Sequence, residues 1–108
     1  MVTRPSRGDV WWAEEPDIGR RPVLVLTRDR AIDVLTSVIV APATRTIRHI
    51  PTEVLLDEAD GMPSPCALTM DNVRTVRRSL LTTRVTTLSA AKMQRVCEAL
   101  SIALDCPR

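Results

Sequence analysis

Arg21 stands directly before a proline and a run of apolar residues, Pro22-Val23-Leu24-Val25-Leu26. An arginine held rigidly at the mouth of a buried strand is a good phosphate ligand, because its planar fork can pair with two phosphate oxygens at once. Arg20 precedes it and is placed to share the task. Adjacent strand residues face opposite ways, so only one of the pair is predicted to enter a common groove, and the neighbouring Pro22 favours Arg21. A second polar residue, Thr44, follows another strand-like run, Val38-Ile39-Val40-Ala41-Pro42-Ala43, and Arg45 comes next. Each has a plainer reading. Arg21 fits half of a surface salt bridge, and Thr44 fits a turn residue bonding its own backbone.

Other chemistries find little support. The three cysteines, Cys66, Cys97 and Cys106, are odd in number and lack the C-x-x-C spacing. They suggest neither a disulfide framework nor a zinc site and read as buried thiols. His49 is the single histidine. It has no second histidine for a metal or a proton relay and reads as a surface or loop residue. No metal or cofactor is called for.

The formal net charge is +2, too small for a histone-like polycation, yet Lys92 is the sole lysine among 15 basic residues. Two explanations stand side by side: a GC-rich coding bias, and a surface for RNA phosphates and bases, where arginine outperforms lysine. The charge is also segregated. Acids gather between Glu53 and Asp60, whereas Arg74, Arg77, Arg78 and Arg84 crowd a later stretch. Such separation permits a local positive groove.

A chain of 108 residues is predicted to form one domain spanning 1–108. Its apolar fraction, 44%, is too high for disorder, and without Phe or Tyr the core must be aliphatic. No apolar run is long enough to span a membrane and no secretory h-region is present, so the expected location is the cytoplasm. Val10 to Ala13 reads as a first strand, with Trp11 and Trp12 on opposite faces, one in the core and the other at an interface or covering the barrel edge. Glu14 to Gly19 reads as a loop, and Pro22 to Thr27 as a central strand buried on both faces. Arg28 to Asp33 reads as a charged turn. Leu35 to Ala41 is a third strand, which Pro42 ends or forces to an edge. Thr52 to Leu56, Cys66 to Met70, Val73 to Val76 and Leu80 to Thr87 are further extended candidates, with Asp57 to Pro65 a loop. A helix follows. Ser89 caps it, Leu88 and Met93 staple it, and Met93, Val96, Cys97, Leu100 and Leu104 form its apolar stripe until Pro107. The fold class is mainly β with a C-terminal helix: a small curled sheet or barrel capped by that helix.

Three ordered segments, Arg7-Gly8-Asp9-Val10-Trp11-Trp12, Arg20-Arg21-Pro22-Val23-Leu24-Val25-Leu26 and Val38 to Thr44 leading into Pro51-Thr52-Glu53-Val54, resemble the MazF/PemK family of toxin endoribonucleases. The resemblance runs from about Arg7 to about Leu104. It implies an SH3-like small β-barrel with a long C-terminal helix, a homodimer, and metal-independent, sequence-specific cleavage of single-stranded RNA to 2′,3′-cyclic phosphate and 5′-hydroxyl ends. It also implies a cognate antitoxin partner. The family arginine before the strand-opening proline matches Arg21, and the family threonine matches Thr44. Asp71 falls where some members carry an acid, as base toward the 2′-hydroxyl or as a group orienting an arginine; an Asp at a strand break is the plainer reading. Asn72 and Arg74 read as RNA contacts, with Arg20 and Arg45 beside them. Arginine is a poor acid or base in water, so charge and geometry are its natural contribution. The chain departs from the family in its first loop, which is short, acidic and free of histidine. It departs again at Thr69, where one branch has an arginine. Two other classes remain: a gyrase-binding toxin of related fold that cuts nothing, and a catalytically silent RNA-binding module.

Overall fold

Five consecutive residues, Val23 to Thr27, are almost wholly shielded from solvent, and the rest of the chain is arranged to cover both sides of them. The computed structural model describes residues 4–106. Strand β1 (Asp9–Glu15) and strand β2 (Gly19–Val25) form a hairpin, and β2 pairs on its other side with β3 (Ser37–Thr44). Side-chain alternation sends Leu24 into one cluster with Val10, Ala41, Val54 and Leu68, and sends Val23 and Val25 into a second with Trp11, Ala13, Val38, Val40 and Val76. The double burial expected from the unbroken apolar run is therefore what the strand experiences.

The remaining strands are β4 (Glu53–Leu56), β5 (Cys66–Thr69), β6 (Arg74–Arg77) and β7 (Leu81–Thr87). Their order is β4-β5-β3-β2-β1-β7, with β6 also on β3. All the ladders are antiparallel. Register shifts between Val10 and Trp11 and between Trp12 and Ala13 mark irregularities in the β1–β7 ladder, the kind that sharpen twist and curl a sheet. The result is a half-barrel. Its ends approach without a ladder: Thr86 Oγ1 on β7 donates to Asp60 O, just beyond β4, at 2.9 Å.

Several boundaries differ from the sequence reading. Strand pairing extends through Glu14 and Arg20, leaving only Pro16 to Ile18 as the hairpin loop. The charged turn contains a one-turn helix, α1 (Asp29–Ile32), because Ala31 and Ile32 are buried. Pro42 does not end β3. Ile39 turns both its N–H and its carbonyl toward the β2 side, bonding Thr27 Oγ1 and Leu26 N. Pro42, three residues on, therefore faces the opposite side. There β3 pairs with β6 only as far as Val40 and with β5 only from Ala43. The missing N–H falls in the gap between two ladders, where no bond is lost.

Helix α2 (Ala90–Leu104) is capped by Ser89, whose Oγ accepts from Lys92 N at 3.1 Å. Val96 and Ala99 are buried, with Met93, Leu100 and Ala103 partly so, against the first cluster. Cys97 and Leu104, predicted in the stripe, are exposed. The buried face is centred on Val96 and Ala99, which turns Cys97 toward the N-terminal arm, where Arg7 Nη2 lies 3.3 Å from its sulfur. The helix closes at Asp105, which is left-handed at φ 55°, while Cys106 N–H donates back to Ser101 O. Pro107 lies outside the described residues. Of the thiols read as buried, only Cys66 is; Cys97 and Cys106 are exposed.

Gly61 has φ 92°, and a Cβ there would overlap Thr86 Oγ1 and come within 2.8 Å of Thr86 Cβ. Thr86 is held by its bond to Asp60 O and has little freedom to retreat. Left-handed strain and overpacking together should make Gly61→Ala less stable by about 2–4 kcal/mol. Urea melts of the two proteins measure this, and a loss below about 1 kcal/mol would mean that the turn relaxes.

Candidate functional site

Beyond the shielded core, the outer part of β2 carries Arg20, Arg21 and Pro22 into a cleft of about 370 Å³. Its other walls are Trp12 from β1, Ala43, Thr44 and Arg45 at the end of β3, and Met62, Pro63, Ser64 and Cys66 leading into β5. Alternation predicts that only one of Arg20 and Arg21 enters; both line it. The cleft wraps the exposed stretch of β2, so residues from both faces reach it. Arg21 pairs across the hairpin with Ala13, so a regular strand fixes its backbone.

The guanidinium of Arg20 lies over the Trp12 ring, with its central carbon 4.1 Å from the ring centroid. Trp11 takes the opposite face, buried in the second cluster, with its Nε1–H donating to Asp9 Oδ2 at 3.2 Å. Thr44 Oγ1 accepts from Thr46 N–H at 3.1 Å. This is the local backbone bond of the plainer reading. It also leaves the hydroxyl hydrogen available to donate into the cleft. No carboxylate-bearing residue lines the cleft, so three arginines share it without an acid among them. Glu14 and Glu15 instead line a smaller neighbouring depression that shares Arg20.

Asp71, Asn72 and Arg74 do not line the cleft. Asp71 sits on the short turn between β5 and β6, and its Oδ2 accepts from Thr52 Oγ1 at 2.6 Å. Asn72 reaches back to Thr69 Oγ1 at 3.4 Å. Arg74 is half-buried and paired with Glu15 at 2.5 Å. The expectation that Asp71 shares a site with Arg21 and Thr44 is thus not met within one chain. Its carboxylate is engaged in joining two turns. Sequence reading overlooked Met62, Pro63, Ser64 and Cys66, which come from a stretch read only as loop and strand start. Nothing in their types signals a site; the antiparallel return of β5 onto Thr44 brings them there.

The family described as PemK-like, MazF-like toxin of type II toxin-antitoxin system matches residues 6–104. The chain belongs to this family. It is 44% identical to the probable endoribonuclease MazF5 of Mycobacterium tuberculosis over 109 residues, covering all of both chains. Its fold superposes on the Mycobacterium tuberculosis toxin MazF-mt6 with a TM-score of 0.85 and 33% identity, over 93% of this chain and 99% of that one. A mycobacterial endoribonuclease solved in complex with its cognate antitoxin gives a TM-score of 0.86 at 26% identity, over 96% and 98%.

In this MazF-like toxin the cleft thiol is set apart from the other two. Burial, reinforced by Asp60, pushes the Cys66 thiol up from its ordinary value of 9.0. The folded chain then keeps its proton at a pH where the unfolded chain has lost it. Its contribution to stability is complete below about pH 9 and is lost as pH rises toward the folded value. Because the thiolate is the reactive form, iodoacetamide at pH 8 should label Cys97 and Cys106 at least about tenfold faster than Cys66. Peptide mass mapping over time checks this, and equal rates would mean that Cys66 is open to solvent.

Proposed function

We propose that the protein is the toxin of a type II toxin–antitoxin pair and a metal-independent, sequence-specific endoribonuclease acting on single-stranded RNA. The observation that carries this reading is the convergence of Arg20, Arg21, Arg45 and Thr44 on one acid-free cleft, in a chain of this family. The reaction is attack of a 2′-oxygen on the adjacent phosphorus. The bond from phosphorus to the 5′-oxygen breaks, leaving a 2′,3′-cyclic phosphate and a 5′-hydroxyl. The proton leaves the 2′-hydroxyl, and another is gained by the departing oxygen. Negative charge builds on the phosphorane in between.

Arg21 is assigned to that charge. A rigid guanidinium aimed at developing charge lowers the barrier without reorganising when the reaction occurs. Thr44 is assigned to a phosphate oxygen through its hydroxyl hydrogen. Arg20 and Arg45 are assigned to binding. With Asp71 on its turn, Asn72 bonded to Thr69 and Arg74 paired with Glu15, a role for these three requires the substrate or a second chain to bring them to the cleft. The same acid-free surface suits an acidic, apolar antitoxin tail, which would compete with RNA for the arginines. A homodimer and a cytoplasmic location complete the reading. No helix among the described residues is long and apolar enough to cross a membrane.

Incubation of the protein with mixed RNA in chelator, followed by mapping of all fragment 5′ ends, tests the proposal. Discrete cuts with 5′-hydroxyl ends are expected, and Arg21→Ala should slow them by about 10²–10³-fold. Intact RNA in the presence of folded protein would overturn the nuclease reading and move the search to protein targets such as gyrase.

A further inference from the structure

The chain has no Phe or Tyr and only two Trp, so its capacity to stack on a nucleobase rests on very few rings. Trp11 is withdrawn into the core, with its N–H committed to Asp9. Trp12 is the opposite case. It is half-buried, so part of its ring is packed away, and it lines the cleft beside Arg21 and Thr44. Its accessible surface is not empty: the planar guanidinium of the exposed Arg20 covers it at 4.1 Å. Arg20 belongs to no ion pair among the described residues. It can leave the ring without breaking a salt bridge. An exposed cation–π contact is also weaker than the stack of a base on an aromatic ring.

We propose that Trp12 is the base-stacking platform of the cleft, and that a nucleobase flanking the scissile phosphate takes the indole face that Arg20 covers in the free protein. Arg20 is then released toward the phosphate backbone. The exchange keeps the ring covered when no RNA is bound, and it couples base docking to the delivery of one more positive charge. Arg21 and Thr44 are left to the phosphate, while Met62, Pro63 and Ser64 contribute to the rest of the lining. This inference rests on the ribonuclease reading, and it names how that site holds the base next to the cut.

The test uses the wild-type protein and a single-stranded RNA spanning a mapped cut, made uncleavable by a 2′-deoxy sugar at the attacking position. Tryptophan emission should be quenched as this RNA saturates the protein. One oligonucleotide in a series with a single abasic position beside the cut should bind without quenching. Trp12→Phe should keep the affinity within a few-fold, whereas Trp12→Leu should weaken it by about tenfold or more and, on the cleavable RNA, raise KM rather than lower kcat. Thermal melts establish that both variants fold, and the wild-type emission signal is independent of them. Binding with unchanged emission, or equal affinity in Trp12→Leu, would overturn the stacking role while cleavage of the natural RNA still stands. If the folded wild type cuts no RNA, the ribonuclease reading falls, and the stacking role falls with it.

Discussion

Burial of β2 on both faces is the constraint from which the site follows. A strand flanked by two aliphatic clusters cannot rotate or slip by one residue, because a slip would send every side chain to the other face. Val23 and Val25 are held in one cluster, and Leu24 and Leu26 in the other. Arg20 and Arg21 are attached directly to that fixed stem through Pro22, whose ring narrows the backbone freedom at the junction. A flexible arginine would have to lose much conformational freedom on binding a phosphate. One carried by this strand has lost the backbone share of that freedom already, when the protein folded.

The same economy explains why the acids lie elsewhere. A carboxylate in the cleft would pair with the arginines and compete with phosphate. Glu14 stays exposed beside Arg20, outside the cleft, and other acids are tied to the framework. Glu15 holds Arg74, Asp71 holds Thr52, and Asp9, itself buried, accepts from Ser6 N, Trp11 Nε1 and Thr87 Oγ1. Asp9 thereby joins the N-terminal arm to β1 and β7. It is a buried charge made tolerable by three donors.

Much of this was legible in the sequence, for identifiable reasons. The unbroken run from Pro22 to Thr27 could only be a strand covered on both faces, and Ser89 announces its helix through local bonding. The opening arginine and the threonine that closes β3 lie toward strand ends, where chain order and spacing are informative. What escaped reading depends on contacts between distant segments. Pro42 looks like a terminator until two separate ladders are found on its outer side. Cys97 looks like stripe until the face of α2 is fixed by what it packs against. The wall from Met62 to Cys66 is invisible in sequence, because a loop becomes part of a site only through the strand that returns it.

The excess of arginine over lysine is the weakest guide of all, and the structure explains why. Arg4 pairs with Asp33, Arg7 caps Leu26 O, Arg78 caps Ile32 O and Arg74 pairs with Glu15. Four arginines are therefore engaged within the fold itself. Lys92, the exception, links α2 to Leu55 O at 3.1 Å and to Asp60 Oδ1 at 3.5 Å. A compact ammonium serves that task without needing a planar fork. Composition alone cannot separate these uses. The site is marked by convergence: three arginines and a threonine line one cleft with no acid in its walls. Like charges gather in this way at a cost to folding. A polyanionic ligand supplies the charge that offsets it, and such an arrangement is better explained by what it binds than by what it stabilises.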